Sequence, residues 1–130
     1  MTGIDADSRY VVVWDLCWQL TDDAMAWVLR QALDRTPGAN PEIVTDNGPE
    51  FVGRDFLLAC KAESRKHIRT RVHHPQSNGR LERYHRTFRE EGGQGEQPAD
   101  YPAAYALIAA WVQSYNTVRL HSALQYLTPW

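Results

Sequence analysis

The sequence has few of the residues that build disulfide frameworks, zinc sites or membrane spans. Its 130 residues include two cysteines, Cys17 and Cys60, both in apolar surroundings, which favours buried reduced thiols of a cytosolic protein. No Cys/His spacing suggests a zinc site. The longest apolar stretch, Ala103–Val112, is shorter than the roughly 18 residues of a membrane span, and Met1–Tyr10 lacks the apolar region of a signal peptide. The absences favour one globular domain that does not use a membrane.

The net charge of −2 conceals a strong segregation of charge along the chain. Residues 1–60 carry a net charge of −6, residues 61–89 carry +7 and residues 90–130 carry −3. A basic block beside an acidic one is typical of a protein that meets a phosphate backbone near a carboxylate metal site. A solvated, charged helix face gives the same pattern. Charge alone leaves the two interpretations even.

Hydrophobic periodicity predicts strands that alternate with helices, which indicates an α/β or α+β fold with helices packed on a sheet. The predicted strands are Arg9–Trp18, Pro41–Thr45 and His67–His74, with Met1–Ile4 as the stub of another. The predicted helices run from the N-cap Thr21 to Thr36, from Pro49 to Glu63, from Ser77 or Asn78 onward, and over Tyr101–Tyr115.

The same patterns predict which side chains form the core. Apolar residues at helical spacing mark the buried faces of the first three helices, and the polar stretch Gln76–Gly79, which contains Asn-Gly, is predicted to be a mobile loop. The core candidates are, in chain order, Met25, Val28, Leu29, Ala32, Leu33, Phe51, Phe56, Leu57, Cys60, Leu81, Tyr84 and Phe88. Trp14, Trp18, Trp27 and Trp111 are interpreted as core or oligomer-interface residues.

Asp46 stands directly after an apolar strand and before Asn47-Gly48, a pair that turns the chain sharply. The carboxyl end of a strand is where α/β folds place their sites. An aspartate that only begins a turn has the same local sequence, and taken alone it is the simpler interpretation.

Glu82 follows Leu81 on the third helix, about 100° around its axis, so it is predicted at the margin of the buried stripe. A partly shielded but accessible carboxylate there suits a metal site. A surface pair with Arg86, four residues on, is the simpler reading of Glu82 alone.

Taken together, the two carboxylates stand in ordered motifs, and the sequence resembles the retroviral integrase and insertion-sequence transposase superfamily. The segment 45–51, TDNGPEF, is similar to that family's second-aspartate motif, and 74–83, HPQSNGRLER, to its catalytic-glutamate motif. The interval of 35 residues between Asp46 and Glu82 also matches. The tail 115–129, which contains YNTVRLHSAL and Thr-Pro, is similar to the signature that follows the catalytic core.

The resemblance implies a ribonuclease-H-like mixed sheet flanked by helices, with residues 1–92 as the core fragment and 93–130 as the C-terminal helix and tail of the same domain. It implies DNA cleavage and strand transfer with two Mg²⁺ or Mn²⁺ ions, held by Asp46 and Glu82. Lys66, Arg80, Arg83 and Arg86 are then expected on DNA phosphates, and Gln76, Ser77, Asn78 and Gly79 are expected to position the substrate. The expected partners are transposon-end and target DNA and other copies of the chain, in a bacterial cytoplasm, associated with the nucleoid.

One member of the family's carboxylate triad has no match in this sequence. In the family, the first aspartate lies on the opening, central strand of the sheet, upstream of the segment that resembles Asp5–Leu16. Asp5 and Asp7 match a turn, so the catalytic role is not transferred to them. We therefore expect a sheet without its first strand, completed by another copy or rearranged with Arg9–Trp18 moved inward, and we expect the fragment to be inactive.

Two other functions remain open. One is a catalytically dead DNA-binding or assembly module from a truncated element. The other is a ribonuclease-H-like nuclease unconnected with transposition, against which the tail motif argues. For His73, His74 and His85, positions beside DNA phosphates are favoured over metal binding.

Overall fold

The computed structural model of the chain describes residues 1–70, 75–92 and 97–130, and of residues 75–78 it describes the backbone alone. Strands alternate with helices in the first part of the chain, which confirms the mixed α/β class. The described elements are β1 (Thr2–Ile4), β2 (Val11–Trp14), α1 (Asp22–Arg35), β3 (Ile43–Thr45), α2 (Pro49–Val52), α3 (Arg54–Ala62), β4 (His67–Arg69), α4 (Pro75–Glu91), α5 (Tyr101–Thr117) and a 3₁₀ turn at Ser122–Leu124.

The described strands form two sheets of two strands each. In one, β1 pairs with β2, and in the other, β3 runs parallel to β4 with Ile43 opposite His67 and Thr45 opposite Arg69. Among these strands β2 does not pair with β3, so the predicted inward move of Arg9–Trp18 is not seen. Completion of the sheet by a second copy stays a prediction. The predicted strand His67–His74 includes residues 71–74, which lie outside the described residues.

The chain divides into two compact units, which are described separately. The first comprises Met1–Gly3 and Val12–Asn78, and the second comprises Ile4–Val11 and Gly79–Trp130. None of the described helices is long and apolar enough to cross a bilayer.

In the first unit, α1 packs on α2 and α3 around a small apolar core. Its buried members are Ala26, Leu29, Phe56, Ala59 and Cys60, with Met25, Leu33, Ile43 and Phe51 partly buried against them. This confirms most of the predicted core. The prediction is wrong for Leu57, which is 44% exposed. Phe56, Ala59 and Cys60 follow the i, i+3, i+4 spacing of one helix face, and Leu57 lies about 100° off that face.

The single helix predicted from Pro49 to Glu63 is broken at Gly53, which has an extended backbone between α2 and α3. The cause lies elsewhere in the chain. The Asp22 side chain lies against Gly53, in space that a Cβ at this position would need, and its carboxylate accepts the Asp55 N–H at 2.9 Å. Asp22 therefore caps α3 from the start of α1, and the chain must break there to meet it.

The start of α1 agrees with the prediction in position but not in mechanism. Thr21 is the N-cap residue, yet its side chain makes no capping hydrogen bond. Its hydroxyl instead bonds to the Asp23 carboxylate, and this bond lowers the pKa of Asp23.

Two tryptophans are too exposed to belong to a core. Trp18 is 88% exposed and Trp27 is 50% exposed, so the core interpretation is wrong for both, while the interface interpretation stays a prediction. Cys60 is buried as predicted, whereas Cys17 is half-buried.

The prediction for residues 76–79 is also wrong, because they belong to a helix rather than to a loop. Helix α4 begins at Pro75, two residues before the predicted start. Proline is well suited to the first helical position, since its fixed φ matches the helix and its missing N–H would have no helical partner there.

In the second unit, α4 packs against α5 through aromatic rings. Tyr84 is buried, with its ring centroid 5.4 Å from that of Trp111 and 5.2 Å from that of Tyr115. Phe88 lies edge-on to Trp111 at 4.9 Å. Tyr84, the middle residue of the predicted apolar face of α4, therefore anchors the helix.

Candidate catalytic site

Asp46 lies immediately after β3, at the point where the chain turns. Its Oδ1 accepts the Gly48 N–H at 2.9 Å, and the residue is exposed. The bond fixes one carboxylate oxygen and leaves the group open to solvent. The strand places the carboxylate, and the Asn-Gly turn confines it, as the sequence predicted.

The turn is tied to the neighbouring strand β4 on both sides of Asp46. The Thr45 hydroxyl lies 2.8 Å from His67 Nε2 and donates to the Asp46 carbonyl at 2.9 Å. On the other side, Asn47 Nδ2 donates to the Thr70 carbonyl at 2.7 Å. These two side-chain bonds add to the parallel ladder and restrict the loop that carries the carboxylate.

A second carboxylate, that of Glu50, lies against the same turn. A Cβ placed on Gly48 would come within 2.6 Å of Glu50 Oε1. A side chain at position 48 would displace the Glu50 carboxylate from this position. The sequence places Glu50 in the motif TDNGPEF, but sequence reasoning gave it no role.

Glu82 is exposed on α4, which corrects the prediction that it lies partly shielded at the margin of the buried stripe. The reason is angular. Tyr84 is the buried residue of this stretch, and two residues along a helix correspond to about 200°, so Glu82 faces almost directly away from it. Asp46 belongs to the first unit and Glu82 to the second, and their proximity stays a prediction.

The three predicted DNA-contacting arginines of α4 are all exposed. Arg86 lies about 40° around the helix axis from Glu82, Arg83 about 100° and Arg80 about 160°. Of these three arginines, Arg86 is thus the one nearest to the Glu82 face. Lys66, the fourth predicted contact, has its ammonium 2.6 Å from the Glu42 carboxylate, and both side chains are more than half exposed.

The C-terminal end of α4 is fixed by an ion pair with the tail. Arg119 donates from Nε and Nη2 to the two Glu91 carboxylate oxygens at 2.8 Å and 2.7 Å. The bidentate hydrogen bonds from Arg119 lower the pKa of Glu91. Together with the Tyr84 and Phe88 ring contacts, this pair sets the orientation of the helix that carries Glu82.

Asp5 is engaged in a hairpin turn, as its match to a turn predicted. Its Oδ2 accepts the Ser8 N–H at 2.7 Å and the Ser8 hydroxyl at 2.6 Å. These bonds lower the pKa of Asp5. Asp7 is exposed in the same turn.

The side chains of several predicted site residues lie outside the described part of the structure. His73 and His74 lie outside the described residues, and for Gln76, Ser77 and Asn78 only the helical backbone is described. His85 is exposed on α4, with its ring 5.3 Å from that of Tyr84. In the part of the chain that is described, no group of three or more His, Cys, Asp or Glu side chains is arranged to hold a metal ion.

Sequence reasoning missed the residues that support the site. Thr45 and Asn47 stand in the motif TDNGPEF without a predicted role of their own, and Thr70 and His67 were assigned only to a strand. The parallel register of β3 and β4 brings them together, and this register is not readable from either strand alone.

Comparisons with known proteins identify the family and the fold of the chain. A family model described as "Integrase core domain" matches residues 63–129, a segment that begins before β4 and includes Glu82 and the tail.

Two similar proteins come from bacterial insertion elements. An uncharacterized insertion element IS136 protein of Agrobacterium fabrum is 28% identical over 133 residues, covering 97% of this chain and 68% of that protein. An uncharacterized 31.7 kDa insertion element IS407 protein of Burkholderia multivorans is 35% identical over 102 residues, covering 76% of this chain and 37% of that protein.

Solved structures of similar fold include two retroviral integrase catalytic cores. That of HTLV-2, solved with magnesium in a trimeric form, matches with a TM-score of 0.75 and 20% identity, over 98% of this chain and 78% of that one. That of BIV matches with a TM-score of 0.76 and 21% identity, over 98% of this chain and 80% of that one. These matches confirm the predicted ribonuclease-H-like fold.

Proposed function

We propose, from the premise that this chain belongs to the integrase core domain family, that it acts in DNA transposition or integration. In this proposal, Asp46 and Glu82 are two of the carboxylates at which DNA strands are cut and joined. The observation that carries the proposal is the turn after β3, where Gly48 fixes one oxygen of an exposed Asp46 carboxylate. The insertion-element origin of the similar proteins favours transposition.

The residues at this turn fit a hard divalent cation such as Mg²⁺ or Mn²⁺. Such ions prefer carboxylate oxygens, and the Asp46 carboxylate is accessible while Glu50 adds negative charge against Gly48. Two bound ions would neutralise charge on the attacking and leaving oxygens of a phosphodiester. The chain itself contributes position, because Asp46 sits on a turn tied to β4 and Glu82 on a helix anchored by Tyr84.

Duplex DNA is the proposed partner of the basic face of α4. Arg86, Arg83 and Arg80 are exposed and lie about 40°, 100° and 160° around the helix axis from Glu82, so they form one basic face to one side of it. Contacts of this kind neutralise phosphates without reading sequence. Lys66 would have to break its ion pair with Glu42 before it could contact a DNA phosphate, so we expect it to contribute less to DNA affinity than the arginines do.

Residues 76–79 keep their proposed role in positioning the substrate, as part of the first turn of α4 rather than as a loop.

Self-association is proposed as well, since Trp18 and Trp27 expose large apolar surfaces on the first unit.

The second candidate function is DNA binding or assembly without catalysis. The observation that favours it is the state of Asp5, whose Oδ2 accepts both the N–H and the hydroxyl of Ser8 within a turn. The basic face of α4 does not depend on a complete metal site. Metal binding therefore distinguishes the two candidate functions, because only the catalytic one requires it.

Mn²⁺ binding tests the proposal, measured as loss of the free-ion signal in electron paramagnetic resonance. We expect Asp46→Asn and Glu82→Gln each to weaken binding. Asp34→Asn, which removes an exposed carboxylate from α1, is the matched control and should bind as the unchanged chain does. Mn²⁺ binding that is equal in all four proteins would overturn the metal site and leave DNA binding alone.

A further inference from the structure

The imidazole of His67 lies between a core ring and the strand end that carries Asp46. Its centroid is 5.2 Å from that of Phe56, edge-on, and its Nε2 is 2.8 Å from the Thr45 hydroxyl. Phe56 is itself buried in the core of the first unit. The ring is therefore held on one side by packing and on the other by a hydrogen bond.

The direction of that hydrogen bond follows from counting protons. A threonine hydroxyl has one proton, and the geometry directs it to the Asp46 carbonyl at 2.9 Å. The hydroxyl oxygen must then accept from His67, which places a proton on Nε2. The result is a short relay in which imidazole N–H, hydroxyl and the Asp46 peptide carbonyl are bonded in sequence.

The relay acts on the backbone of Asp46, not on its carboxylate. Thr45 is buried, at 8% exposure, whereas Asp46 is exposed. The relay therefore restrains the backbone of Asp46 from within the protein, while the Asp46 side chain is open to solvent. The Asn47 bond to Thr70 holds the next residue in the same way. Both neighbours of Asp46 are thus tied to β4 or to the residue that follows it, which restrains the backbone from which the Asp46 side chain extends.

We propose that His67 is a positioning residue for Asp46, acting through the Thr45 hydroxyl. The inference rests on the proposed function, in which Asp46 holds a divalent cation. Outer-shell hydrogen bonds orient metal ligands, and their loss weakens metal binding even when the ligand itself remains. His67 serves here without contact to the ion.

The test separates the hydrogen bond from the space that the side chains fill. Thr45→Val keeps the shape of the side chain and removes the hydroxyl, while Thr45→Ser keeps the hydroxyl. His67→Phe keeps a ring against Phe56 and removes the donor, while His67→Gln restores an N–H donor. Thr36→Val, which removes a hydroxyl bonded to the Ala32 carbonyl in α1, is the matched control.

Mn²⁺ affinity is measured in the full chain at fixed pH, together with the thermal midpoint without metal. We expect Thr45→Val and His67→Phe each to weaken Mn²⁺ binding about tenfold, at the lower end of what the loss of an outer-shell partner costs. The double variant should be no weaker than either single one, because both remove the same relay. Thr45→Ser, His67→Gln and Thr36→Val should bind nearly as the unchanged chain does.

The outcomes distinguish this inference from the proposed function. If Asp46→Asn leaves Mn²⁺ binding unchanged, the proposed metal site itself fails. If Asp46→Asn weakens binding but Thr45→Val and His67→Phe do not, the relay has no positioning role and the inference is overturned while the site stands. Additive losses in the double variant would also overturn it. If Thr45→Val unfolds, the comparison of His67→Phe with His67→Gln decides.

Discussion

The side-chain amide of Asn116 forms both backbone hydrogen bonds of Val11, from which it is separated by 105 positions in the chain. Its Oδ1 accepts the Val11 N–H at 2.9 Å, and its Nδ2 donates to the Val11 carbonyl at 3.1 Å. Both residues are buried, at 5% and 3% exposure. The amide thus takes the place of a neighbouring strand at this point of β2, and it gives a structural reason for asparagine in the tail motif.

Replacing Asn116 with leucine should therefore destabilise the protein. The change keeps the volume but leaves the N–H and the carbonyl of Val11 buried without partners, and each such group costs about 1–3 kcal/mol. We expect a loss of roughly 2–4 kcal/mol in the free energy of unfolding, measured by urea denaturation. Gln113→Ala, an exposed change on the same helix, should stay within about 0.5 kcal/mol of the unchanged chain. Equal stability of Asn116→Leu would show that Val11 finds other partners.

The Asn116 contact illustrates what the sequence could not predict. Helix α1 and helix α5 were predicted to within two residues, because the residues that mark them lie within the helices or at their ends. The break at Gly53 was missed because its cause, the Asp22 carboxylate, lies far away in the chain, 33 positions before Asp55, whose N–H it accepts. The relay at Asp46 was missed for the same reason, since it depends on the register between β3 and β4.

Stability should fall as the pH drops from 7 toward 5. Burial lowers the pKa of both His67 and His121 below the ordinary value of 6.5. At pH values below about 6.5 the unfolded chain binds protons that the folded chain binds less readily, so the free energy of unfolding decreases until the folded-state pKa is reached. The slope cannot exceed about 1.4 kcal/mol per pH unit for each group.

His121 is the better of the two histidines for isolating this effect. It is buried with its ring 4.7 Å from that of Tyr115, and the nearby Arg119 adds to the lowering of its pKa. His121→Phe keeps the ring contact and removes the titrating group, so urea denaturation between pH 5 and 7 should show a smaller slope. When His67→Phe is combined with His121→Phe, the slope of the free energy of unfolding against pH should become smaller still. An unchanged slope in both would place the pH dependence elsewhere.

DNA binding should depend on the exposed arginines of α4. Replacing Arg80, Arg83 and Arg86 together with glutamine should weaken binding to labelled duplex DNA, measured by fluorescence anisotropy across a range of salt concentrations. If all three contact phosphates, the slope of log affinity against log salt should become shallower by roughly 2 to 3.

A matched control keeps the change in net charge the same. Arg30, Arg54 and Lys61 are exposed in the first unit, and their joint replacement with glutamine removes as much positive charge. We expect this control to bind DNA with nearly the original salt dependence. If both triple variants lose affinity equally, overall charge and not the α4 face determines binding.

The chain by itself should give no strand-transfer product with labelled transposon-end DNA and either Mg²⁺ or Mn²⁺. Asp46 and Glu82 are proposed as two of the three carboxylates that the family resemblance implies, and the Asp5 carboxylate is bonded to Ser8 at 2.7 Å and 2.6 Å. Two ions that share one site need a ligand set that neutralises both, and two carboxylates leave it short of charge and of oxygen atoms. DNA binding through α4 should persist in the same sample. A strand-transfer product that disappears in Glu82→Gln would show instead that Asp5, Asp7 or another copy of the chain supplies the third carboxylate, and Asp5→Asn and Asp7→Asn, assayed alone and mixed with the unchanged chain, would identify which.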